Sequence, residues 1–311
     1  MKKLVLLSLL FVSPAFADME KAYKAEQAKD FKTAYEEFTL EAETGNTEAM
    51  VMLGVYYAQG IHVTKDQNKS NGWMLKAAEL GDATGELNMG IGYKIGLGDL
   101  RKDDISAFKW FSAAAEKGHP QAQYETGASY HYGVGVARNL EKARLWYLKA
   151  GEQNHPAAQN NLASIFGKGQ GVPADPNLAR EWLEKAASNN HLEALFTLGL
   201  IYHQAMDVEQ DYNKASGYFR RAFIEGKAEA ASFLAEYHYL GFGVGKSPVN
   251  AMMWLMLGTE ISSTVAGGQI NQETLERLQQ NRSVLENELS KTDFNRAVAL
   301  KDDFIKEHLE Q

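Results

Sequence analysis

The chain has 311 residues, a formal charge of −8, 45% apolar residues and no cysteine. That is enough chain to bury a long core. The acidic balance, without basic runs or basic–aromatic interleaving, argues against binding to nucleic acid. Absence of cysteine removes disulfides and thiolate metal sites, so packing alone must hold the fold.

Residues 1–17 read as a secretory signal. Lys2 and Lys3 precede an apolar run from Leu4 to Val12, and Ala15-Phe16-Ala17 supplies the small-residue cleavage pattern. The expectation is cleavage after Ala17 and a periplasmic protein of a Gram-negative bacterium; loss of Lys2 and Lys3 moves the charge to about −10. No later apolar run approaches the ~20 residues that span a bilayer, so stable membrane insertion is not expected.

Residues 18–45 read as a shortened opening unit, with Ala34, Phe38 and Ala42 on one helical face and Glu20, Lys21, Lys24, Glu26, Glu36 and Glu37 forming a polar outer side. A periodic block over 46–258 follows. Trp73, Trp110, Trp146, Trp182 and Trp254 are separated by 37, 36, 36 and 72 residues, and the place skipped by the last interval holds Tyr218. All tryptophans of the chain thus share one position of six copies, each predicted to be a helix, a glycine-rich loop and a second helix. In the first helix Ala, Leu or Met, and Tyr stand four apart, as in Ala49, Leu53 and Tyr57. The next position stays small (Gly54, Gly90, Gly127, Ala163, Gly199, Ala235), which lets the second helix approach closely and offsets a helix penalty of roughly 1 kcal/mol for glycine. Asp66, Asn139, Asp175 and Asp211 stand where they can cap the second helix.

Ala, Leu-Gly, Tyr, Gly-x-Gly-Val, Lys-Ala, Trp and Lys-Ala-Ala, in this order, resemble the Sel-one-like repeat, a longer-looped relative of the tetratricopeptide repeat. The resemblance implies an all-α, right-handed superhelical solenoid of helix-turn-helix repeats that binds protein along its concave face. Copy five departs at Ala205 and Asp207, where glycines are expected, and copy six has His238 in the tyrosine place. Cysteine-rich secreted members of the family bind β-lactams; this chain lacks their bridges, and a β-lactam-binding or cell-wall-acting hydrolase is the alternative reading.

Residues 259–311 form a linker and a closing helical pair. Asn271 is placed to cap a helix to about Leu289, and Ser290 with Asp293 makes a capping-box-like start for the next. Two arrangements stay open: the pair covers the last repeat's core, or it crosses the concave face.

Local catalytic patterns are weak. Ser106-Ala-Phe-Lys109 fits Ser-x-x-Lys, but no Lys-Thr-Gly accompanies it and Ser106 occupies an ordinary repeat position. Gly241 to Ser247 lacks the first glycine of a phosphate loop, which is Leu240 here. His119, His155 and His191 recur every 36 residues, too far apart in stacked repeats to share one zinc ion, and they follow the residue that ends each repeat. The expectation is therefore a non-enzymatic scaffold with no cofactor and no metal, an envelope adaptor or regulator or an immunity-type inhibitor of a secreted enzyme. Its partner is a protein, with a basic one favoured by charge.

At 100° per residue, the face opposite Ala, Leu and Tyr carries the residues two before, two after and five after the Leu position. The protein-binding residues predicted on this strip are Leu87, Ile91, Lys94, Tyr124, His131, Asn160, Phe196, Leu200, His203 and Tyr239. Contact is expected chiefly through Tyr124, Phe196, Leu87 and His131, with Asn160 and Ser164 as a polar middle; the alternative for Val55, Ile91 and Leu200 is packing against the adjacent repeat.

Overall fold

A computed structural model describes residues 14–261 and 272–309. The signal-like run at 4–12 and the cap expected at Asn271 lie outside the described residues. Sixteen helices and no strands occur among the described residues, and the chain divides into two compact units, residues 1–150 and 151–311.

The first unit opens with α1 (Pro14–Gln27) and α2 (Phe31–Glu43), followed by the pairs α3 (Thr47–Gln59) and α4 (Gln67–Glu79), and α5 (Ala83–Ile95) and α6 (Asp104–Glu116). Then come α7 (Pro120–Tyr132) and α8 (Leu140–Glu152), the latter running to the division. The second unit holds α9 (Pro156–Lys168) with α10 (Pro176–Ser188), α11 (Leu192–Gln204) with α12 (Tyr212–Ile224), and α13 (Ala230–Leu240) with α14 (Pro248–Ile261). It ends in α15 (Gln272–Glu288) and α16 (Lys291–His308).

Each repeat closes by the same local chemistry. The first helix stops at a left-handed residue such as Gly60, Gly133 or Gly241, and the second starts at a side-chain cap. Asp66, Asp175 and Asp211 accept from the third amide of their helices, as Asn139 does from Lys142. The same capping residue donates its own amide to the carbonyl of the tyrosine place in the first helix. Asp66 to Tyr57, Asp103 to Tyr93, Asn139 to Tyr130, Asp175 to Phe166, Asp211 to Tyr202 and Ser247 to His238 all lie between 2.7 and 3.1 Å. This clasp uses backbone atoms only, which is why it survives His238 in copy six.

In repeats one, four and six the buried residue in the last turn of the first helix is the one before the tyrosine place: Tyr56, Ile165 and Tyr237 are fully buried, whereas Tyr57 is partly exposed and bonds Tyr35 at 2.8 Å; in repeat five Tyr202 itself is buried and Ile201 only partly. A residue seven after the alanine returns to within about 20° of it, while one eight after is turned by about 80°. Further in, each small position faces the residue after the tryptophan. A Cβ at Gly127 or Gly199 would lie within 2.7 Å of the Tyr147 or Phe219 ring, so glycine there is required by the close approach. Ala163 and Ala235 occur where that residue is Leu183 or Leu255.

The end of the second unit is organised around α14. Ala251 to Leu257 are all buried, as expected of a helix apolar on every side. Leu278 of α15 approaches Gly258, and Phe304 of α16 meets Trp254 of α14 and Phe223 of α12 at ring-centre distances of 5.1 and 6.0 Å. Lys301 reaches Glu260 at 2.6 Å. Ser290 caps α16, accepting from Asp293 N at 3.1 Å while its hydroxyl donates to the Asp293 carboxylate.

Candidate functional site

The face of the first helices is neither uniformly open nor uniformly apolar. Leu87 is buried, packed with Phe111, Ala114 and Ala122, and Ile91 packs against the same core. These two residues belong to the stack's interior because the face beside them is covered by the next helix pair. Val51 and Val55 likewise pack against Met74 and Met89. Lys94 is exposed and forms an ion pair with Glu125 at 2.8 Å, tying repeat two to repeat three.

Tyr124 is half-buried, with its ring 5.9 Å from Tyr147. Burial, then the nearby Glu125 carboxylate, push its hydroxyl above the ordinary tyrosine range. His131 lies 4.7 Å from Tyr132 and 6.0 Å from Tyr147 by ring centres. Phe196 packs on Phe219 at 5.5 Å and Phe233 at 6.0 Å. His203 Nδ1 shares a 2.8 Å hydrogen bond with the hydroxyl of Tyr237, whose pKa is raised by burial. Leu200 is partly buried, and Tyr239 is exposed with its hydroxyl donating to Glu288 at 3.3 Å. Most of the aromatic strip residues thus fill space between helices as well as facing outward.

Recesses occur where those rings are missing. In repeat four the pair corresponding to Tyr124 and Tyr147 is Asn160 and Leu183; in repeat six it is Ser232 and Leu255. A cavity of about 550 Å³ lies against the first, lined by Asn160, Ser164, Gly167, Leu183, Thr197 and Asp207. One of about 300 Å³ lies against the second, bounded by α13, α14 and α15. The ring-filled groove between repeats two and three measures about 200 Å³. A second difference accompanies the recess in repeat four. At the loop position corresponding to Asp207, repeat three has Gly135, whose hypothetical Cβ would lie 2.0 Å from the Asp104 carbonyl oxygen in the preceding second helix. Asp207 carries that Cβ, at φ +55°, and lines the cavity together with Pro176, the residue corresponding to Asp104.

One exposed row escaped the sequence argument, six residues after the Leu position. Ile95, Tyr132 and Leu240 there are 58%, 68% and 47% exposed. Their apolar character at a fixed repeat place was the available signal.

The weak catalytic and metal patterns resolve into local structure. Ser106 donates its hydroxyl to Asp103, the cap of α6, at 2.5 Å. His155 and His191 are themselves helix caps, with Nδ1 accepting from Ala158 and Ala194 amides at 3.3 and 3.4 Å. Among the described residues no group of three or more histidine or carboxylate side chains could hold a metal ion. No described helix is long and apolar enough to cross a membrane.

Repeating helix pairs, a clasped loop and a recessed first-helix face define a helical-repeat protein of the interaction-scaffold class. The Sel1 repeat matches residues 47–82, 83–119, 120–155, 156–191, 192–226 and 228–255, and the chain belongs to that family. Among solved structures, a Sel1 repeat protein from Oxalobacter formigenes is 28% identical over 78% of this chain and 96% of its own, with a TM-score of 0.68. A protective antigen of uropathogenic Escherichia coli with the same repeat fold is 21% identical over 94% of this chain and 77% of its own, at 0.59. An immunity protein from Pseudomonas aeruginosa matches at 20% identity over 77% of this chain and 82% of its own, with a TM-score of 0.42. Comparison with curated proteins found no match.

Proposed function

We propose that this chain is an exported periplasmic scaffold that binds a protein partner through the first-helix face of its repeats, as an envelope adaptor or regulator or as an immunity-type inhibitor of a secreted enzyme. The carrying observation is the pair of recesses at Asn160 and Ser232, set where neighbouring copies are plugged by Tyr124 and Phe196. Concavities of a few hundred Å³ flanked by exposed apolar side chains are the form that receives a partner's protruding side chains. Residues 18–45 and 259–311 serve as the two terminal caps, and the signal-like residues 1–17 support export. An acidic scaffold favours a basic partner, with binding that weakens as salt rises.

Affinity capture from an envelope extract tests this with the wild-type chain, Asn160→Trp and Ser232→Trp, each variant checked for unchanged helicity. A captured protein should be lost when its recess is plugged. Capture undiminished by both substitutions moves the binding face elsewhere, and recovery of an intact Met1 terminus from the cytoplasm removes the compartment. Tyr124 and Phe196 are poorer probes, since truncating them also removes ring contacts within the stack.

A further inference from the structure

The groove in repeat six differs from the others in what forms its second wall. α15 flanks it, and the residues it turns inward are Arg277, Asn281, Val284, Leu285 and Glu288, spaced to lie on one helical face. Ala235, Ala251 and Leu255 make the floor, and Tyr239, Leu240 and Val284, 40%, 47% and 53% exposed, stand at the mouth. Three exposed apolar side chains converging on one recess mark an interaction site.

Charge is separated along the same groove. Arg277 precedes Glu288 by eleven residues of α15, which at 1.5 Å per residue is about 16 Å. Glu236, from α13, also lines the groove. Neither Arg277 nor Glu236 forms an ion pair among the described residues, and Glu288 accepts there a single 3.3 Å bond from Tyr239. A cation and two carboxylates are therefore available to an occupant of matching polarity.

We propose that this groove binds an extended apolar peptide of about five residues with an acidic group at one end, held by Arg277, and a basic group at the other, held by Glu288. At about 3.3 Å per residue an extended chain of that length spans the charged ends. The proposal rests on the scaffold reading and names the chemistry of one of its recesses.

The test is fluorescence anisotropy of a labelled, end-capped peptide, Asp-Leu-Val-Leu-Lys, titrated with the purified chain. Saturable binding is expected, weakened at least about fivefold by Arg277→Glu and by Ser232→Phe, which restores a ring to the recess. A Lys-Leu-Val-Leu-Lys peptide should show the reverse preference, binding Arg277→Glu more tightly than wild type. Absence of saturation, or equal binding of Asp-Leu-Val-Leu-Lys by wild type and Arg277→Glu, overturns the proposal. Should Ser232→Phe fail to fold, the exposed Arg277 position still decides. Because the ligand is a defined peptide, failure here leaves envelope capture to be judged by the Asn160 recess, and failure of capture leaves this titration standing.

Discussion

Repeats five and four share one backbone plan and differ in what fills it. In repeat five, Phe196 and Phe219 pack with Phe233 of repeat six as a cluster, Phe219 and Phe233 stacked at 4.4 Å, and Gly199 makes room for the Phe219 ring. In repeat four the corresponding places hold Asn160, Leu183 and Ala163, and the volume the rings would occupy is open to solvent. Ring and glycine, or leucine and alanine, are two solutions to the same helix spacing; the second gives up packing to create a recess. Packing and open volume are therefore distributed differently among copies that look alike in sequence.

The largest expected effect tests the filled state. Phe219→Ala removes a fully buried ring and should cost about 3–5 kcal/mol in urea unfolding, whereas Leu183→Ala, beside an existing cavity, should fall near ~2 kcal/mol. Equal losses would erase the distinction between the two repeats. Interconversion comes next: Gly199→Ala alone drives a Cβ to 2.6 Å from Phe219 and should cost about 1–3 kcal/mol. Combined with Phe219→Leu, which recreates the repeat-four pair, the two losses should sum to less than their separate values in a double-mutant cycle.

A smaller effect comes from the loop of repeat five, where Ala205 ends α11 at φ +56°, the place of Gly133 and Gly169 in other repeats. Ala205→Gly should stabilise by about 1 kcal/mol, read as a raised unfolding midpoint. No gain would mean that the loop's strain is relieved elsewhere.

The smallest expected effect is a pH dependence. Burial holds the His191 pKa below its ordinary value of 6.5, and its Nδ1 must be unprotonated to accept from Ala194. With the folded pKa lowered, the unfolded chain binds the proton more readily. His191 thus contributes stability fully above about pH 6.5 and loses it as pH falls through the folded value. Burial lowers the His238 pKa too, so it adds a term of the same sign. His191→Asn keeps a capping side chain without a titrating group and should flatten the unfolding midpoint between pH 7 and 5 relative to wild type. An unchanged slope would assign the dependence to other groups.

Copy number, helix limits, caps and the small position after the Leu were legible in the sequence, because each depends on contacts repeated at one spacing or on backbone hydrogen bonds a few residues apart. The 100° rotation of a helix alone put Lys94 and Tyr239 on an outward face, where they are exposed, and Asn160 where it is partly so. Packing against the adjacent repeat was one of two readings open for Ile91, but Leu87 was not readable as interior, since what covers it is the next helix pair, and a helical wheel carries no neighbour. The same limit hid the recesses. Asn160 against Leu183 and Ser232 against Leu255 are separated by more than twenty residues, and only packing of the two helices reveals that neither member fills the space between them. Sequence determined the repeat, since local spacing and capping suffice to specify it. Tertiary structure alone decided which copies are closed and which stand open, because a void is a property of every side chain around it.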